Sequence, residues 1–165
     1  MVDSALRVIL FPVLFLTYMC YIVHILRREE WRDKMINTYE EYLKHPAGDI
    51  LKMEDALRIY TEMTESITKC TLEDKMDFWK DFLKKAAEYA YIRNRWELMS
   101  NEEKMDEDEG RTLKHNGFIT SVNVLSRIAE KEGVDNSWKE ELGESRKRIG
   151  DFACFVTYIT GISNR

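Results

Sequence analysis

Apolar residues recur along most of this chain at steps of three and four, the period of a helix with one buried face. Near the start they run together without any period. From Val8 to Leu26, "VILFPVLFLTYMCYIVHIL", nineteen residues carry no formal charge at neutral pH. As a helix they span about 28 Å, close to the hydrocarbon thickness of a bilayer. Val8, Pro12, Leu16, Ile22 and Leu26 mark the expected membrane anchor. Pro12 is better tolerated in a span than in a soluble helix. Arg7 precedes the segment, whereas Arg27, Arg28, Arg32 and Lys34 follow it, which puts the C-terminal side in the cytoplasm. No small-x-small cleavage site follows, so a removed signal peptide is disfavoured.

A soluble reading of the same stretch is a helix buried on all sides by the rest of the chain. A third reading makes residues 1–34 an over-extended start. Trp31 is encoded only by TGG. With Arg32 as AGG, the pair would spell a bacterial ribosome-binding sequence just before Met35.

Beyond residue 34 the pattern turns periodic and the punctuation becomes clear. Thr38 with Glu41 forms a capping box, and "HPAGD" breaks the chain before the next helix. A helix is predicted over about 50–70, with Met53, Leu57, Tyr60, Met63, Ile67 and Cys70 on its seam. Thr71 with Asp74 restarts a helix whose stripe is Leu72, Met76, Trp79, Leu83, Ala86 and Ala90. Phe78, Phe82, Tyr89 and Trp96 widen that stripe.

"SNEEKMDEDEGRT" holds six acids in residues 102–109 and reads as a solvated loop, with at most a turn of helix after the Ser100–Glu103 box. A third helix over about 112–132 carries Phe118, Val122, Leu125, Ile128 and Ala129, and Gly133 then Val134 close it. Ser137 with Glu140 opens the last helix, with Trp138, Leu142, Ile149, Phe152, Ala153, Val156 and Ile159 inward. Gly161 ends it. The expectation is an all-α up-down bundle of about four main helices, preceded by the apolar N-terminal helix. Residues 1–34 form the anchor segment and 35–165 the acidic bundle domain.

Composition narrows the function classes. Residues 35–165 hold 20 Lys/Arg against 26 Asp/Glu, with no basic stripe. That disfavours nucleic acid and docking of the domain on anionic lipid. Three scattered cysteines, Cys20, Cys70 and Cys154, form no disulfide framework and suit a reducing compartment.

Chemistry-bearing patterns are sparse. Glu62 and Glu65 make an ExxE, and Asp77 ends a DxxD begun at Asp74, which together outline a weak magnesium motif. Asp74 falls on the far side of its helix from Leu72, which disfavours an inward metal site. Asp106 and Asp108 are spaced like calcium ligands. Arg111 and Gly117, however, stand where such a loop needs Gly and Glu.

His115 and Asp151 are the candidate acid–base pair, each beside an interior glycine, Gly117 and Gly150. Close helix packing explains those glycines equally well. His24 and His45 have no ligand-spaced neighbour. No pattern asks for a cofactor. Tyr89, Tyr91 and Tyr158, with Tyr39 and Tyr42, exceed what the seams need. They either line a partner groove or close the rim of the core.

The reading is a non-enzymatic helical interaction or regulatory module with a protein partner, held at the inner face of a membrane. It becomes a soluble cytoplasmic protein if the native start is Met35. The alternatives are an all-α hydrolase using the carboxylates or His115 and Asp151, and a structural homo-oligomer.

Overall fold

The computed structural model describes residues 51–96 and 99–162. The expectations for the anchor (residues 8–26), the Thr38–Glu41 box and the Met35 start lie outside them. Among the described residues 82% are helical and none lies in a strand, so the fold is all-α. The described residues form five helices in order: α1 Met53–Lys69, α2 Lys75–Trp96, α3 Asn101–Lys131, the short α4 Trp138–Leu142, and α5 Arg146–Thr160. None of these is long and apolar enough to cross a membrane.

Helix α2 packs along both α3 and α5, while α1 rests on α4 and α5. The core is a chain of rings from several helices. Trp79 lies 5.1 Å from Phe82, Phe82 lies 5.6 Å from Phe118, and Tyr60 of α1 lies 5.9 Å from Trp79. Phe118 and Phe152 carry the contact on to α5 at 6.5 Å. Tilted and offset pairs like these add to the area they bury. Eight consecutive residues of α5, Ile149–Val156, are buried, so this helix is enclosed on every side. The predicted single face of the last helix therefore misses Cys154 and Phe155, which are equally buried.

Four local differences from the periodic reading have physical causes. In α1 the buried seam runs Ala56, Ile59, Met63, Ile67 and Cys70, whereas Met53 and Leu57 are exposed. Both seams obey the helical period and share their C-terminal half, so periodicity alone cannot choose between them.

The acidic stretch expected as a loop is the start of α3. Ser100 Oγ accepts from the Glu103 N–H at 3.2 Å, and the Glu103 carboxylate accepts from the Ser100 N–H at 2.7 Å. Acids in the first turn favour the positive end of the helix dipole, and Arg111 pairs with Asp108 at 2.6 Å.

The turn that leads into α2 is held from afar. The Glu132 carboxylate, at the end of α3, accepts from the backbone N–H of Thr71 and Leu72 and from the Thr71 hydroxyl.

The last predicted helix is two helices. Gly143 adopts φ +66°, a conformation that excludes most side chains, and the chain turns there before α5 begins. The Arg148 guanidinium donates to the carbonyls of Glu141 and Leu142, closing the end of α4. The Ser137 side chain does not cap α4, since its hydroxyl turns to Asp135.

The end of α3 follows expectation. Gly133 has φ +67°, its N–H bonds Glu130 O, and the Val134 N–H bonds Ala129 O. This is the double-bonded glycine stop with an apolar residue after it.

Candidate functional site

Asp151 sits in the enclosed middle of α5 and is fully buried. A buried carboxylate is tolerable only when paired. The Arg93 guanidinium of α2 donates to it at 3.1 Å, and the Leu51 N–H donates to its other oxygen at 3.3 Å. Arg93 also reaches the Lys147 carbonyl at 3.5 Å.

Gly150 is what lets this happen. A Cβ there would lie 2.7 Å from Arg93 Cδ and closer still to its guanidinium. The mid-helix glycine is thus a slot for an arginine side chain. Gly117 is different, because a Cβ there would make only ordinary contact with Lys85.

His115 of α3 is buried against Tyr89 of α2, with ring centroids 5.1 Å apart. Its Nδ1 is buried with no hydrogen-bond partner. Burial, followed by the nearby charges of Arg146, Arg93 and Arg111, pushes its pKa down to about 4, so the ring is neutral at pH 7. The Tyr89 hydroxyl is pushed up by its own burial, against the opposing pull of Arg93 and Arg146. The Arg146 guanidinium donates to the Thr112 hydroxyl at 3.0 Å, which ties the first turn of α5 to the helix that carries His115. Arg111 stacks over the Trp96 ring at 3.9 Å, and its Nε is buried without a partner.

The structure therefore builds a polar seam where α2, α3 and the start of α5 meet. Asp151 faces Arg93 within it, and His115 faces Tyr89. The sequence reading had Asp151 orienting His115; the contacts found give each its own partner, Arg93 for Asp151 and Tyr89 for His115, and that reading missed Arg93 and Arg111. A signal for Arg93 exists: the α2 stripe of Trp79, Phe82, Ala86 and Ala90 continues by step to Arg93. A charge where the period asks for an apolar residue implies a buried partner.

The expected magnesium carboxylates lie elsewhere. Glu65 and Asp77 are exposed, and Asp77 pairs with Lys80 at 2.9 Å. Glu62 is half-buried and 3.9 Å from Arg58, which also pairs with Glu141 across the α1–α4 contact. Among the described residues no three His, Cys, Asp or Glu side chains gather as metal ligands would.

The three tyrosines separate. Tyr89 is buried, Tyr91 is exposed beside Arg95, and Tyr158 is half-buried against Phe155. Comparisons with protein-family models, curated proteins and solved structures give no match to this chain.

Proposed function

We propose that this protein is a non-enzymatic helical interaction module. Its acidic domain, an up-down bundle in this reading, is held at the cytoplasmic face of a membrane by the apolar segment 8–26. The supporting observation is the outer face of α1, where Met53 and Leu57 stand exposed one turn apart. Side chains spaced by four residues share a face, and an exposed apolar pair of that kind suits docking of a partner helix. Glu54, Arg58 and Thr61 border the pair and would form the polar rim of the contact.

The test is crosslinking of the full chain in the cells that produce it, with and without Leu57→Glu. The substitution lies on the surface and should leave the unfolding free energy within about 0.5 kcal/mol of wild type. Loss of a specific crosslinked protein with Leu57→Glu supports the reading. An unchanged set of crosslinks would remove this face from consideration. A hydrolytic activity abolished by His115→Gln in a folded chain would favour an enzyme instead.

A further inference from the structure

The two flanks of α1 are unequal. On one flank Arg58 pairs with Glu141 of α4, and Glu62 lies beside it. On the other, Met53 is 38% exposed, Leu57 is 47% exposed, and Tyr60 is half-buried. At about 100° per residue these three share one side of the helix, turned away from α4. Met53 and Leu57 stand about 6 Å apart along the axis.

The chain enters the bundle at the same end of α1. Leu51 is fully buried and its N–H donates to Asp151 at 3.3 Å, which fixes the approach just before the helix starts at Met53. Residues 1–50 precede that point, and those nearest to it carry a matching pattern. Thr38 with Glu41 opens a predicted helix over residues 39–44, which "HPAGD" ends. Tyr39, Tyr42 and Leu43 fall at steps of three and one, so that helix has one apolar side. It would be about 9 Å long, enough to cover Met53 and Leu57 and little more. The connection over residues 45–50 reaches roughly 20 Å when extended, twice the usual spacing of packed helices, and Pro46 and Gly48 suit a reversal. A helix this short is marginal alone in water and needs a face to pack on.

We propose that residues 38–44 fold back antiparallel to α1 and cover Met53 and Leu57, so that the docking face is held by the chain's own segment until a partner displaces it. The displacement rests on the interaction reading above, whereas the cover does not. A short tether keeps the segment at high effective concentration, so even weak packing persists and sets the affinity a partner must exceed. Tyr39 and Tyr42, surplus to the seams, then close this rim.

The test is disulfide trapping in the full chain carrying Cys20→Ser, under a mild oxidant. Antiparallel packing sets Leu43 against Met53. Lys44 is equally near along the chain but lies about 100° round the helix. Leu43→Cys with Met53→Cys should therefore close within one chain at least about tenfold faster than Lys44→Cys with Met53→Cys, whereas a loose tether closes both alike. Equal rates, no bond in either pair, or bonds only between chains would overturn the cover.

The two readings separate when the trapping is set beside the crosslinks tested with Leu57→Glu. Selective trapping with crosslinks indifferent to Leu57→Glu keeps the cover and removes the partner. Crosslinks lost with Leu57→Glu but no selective trapping keep the partner and sink the cover. With both in place, Leu43→Glu should raise the partner crosslink severalfold, and a fall instead would make the segment part of the partner's site and end the proposal.

Discussion

A methyl group at position 150 would occupy the space that the Arg93 side chain needs to reach Asp151. The arginine could swing aside, but a buried carboxylate would then lose its cation. Gly150→Ala should therefore cost about 3 kcal/mol, the range seen when buried pairs are broken. In an Arg93→Ala background the slot is empty, and the same change should stabilise the helix by up to about 1 kcal/mol through propensity. Denaturant unfolding of the four chains reads this reversal of sign, and simple additivity would contradict the slot.

His115 gives a second test at this scale. Its folded pKa, about 4, lies below the ordinary value near 6.5. Between those values the unfolded chain binds more protons, so stability contributed by the neutral ring is full above 6.5. It is lost as the pH falls toward 4. His115→Gln should flatten the pH dependence of the unfolding free energy in that window. An unchanged slope would show the ring to be accessible to protons in the fold.

Among the elements, α3 shows how far a polar helix can outrun its core. Its buried residues begin only at His115, so residues 101–110 form helix supported by a capping box and local charge pairs rather than by packing. Most helical stability in proteins comes from a buried face, so this extension should open easily. Hydrogen exchange should be fast at the amides of residues 105–110 and much slower over residues 118–129. Equal protection along the helix would mean that the extension is packed against something. The acidic composition that suggested a loop was read correctly as solvated. What it hid was that acids at a helix start are favourable.

For the whole molecule, location turns on residues 8–26. Native expression followed by fractionation should recover the chain with membranes at an intact mass of 19.6 kDa. A soluble product beginning at Met35 would place the protein in the cytosol and leave the acidic domain as the working unit. The same domain carries its own ring core from α1 to α5, which is the basis for expecting it to fold without the apolar stretch.

The all-α class, the apolar centre of α2, the core face of α3 and the glycine stop at its end are determined by sequence alone. Each rests on local rules: a 3.6-residue period, side-chain size, and the conformational range of glycine. Tertiary structure decided the rest. Two overlapping seams in α1 satisfy the period, and only packing selects Ile59 over Leu57. The acids of 102–109 fit loop or helix start, and the capping geometry chooses. Glu132 holds the turn before α2 from sixty residues away in sequence, and Arg93 fills a slot that Gly150 leaves on another helix. Contacts of that separation obey no periodicity, so only the folded chain brings their partners together.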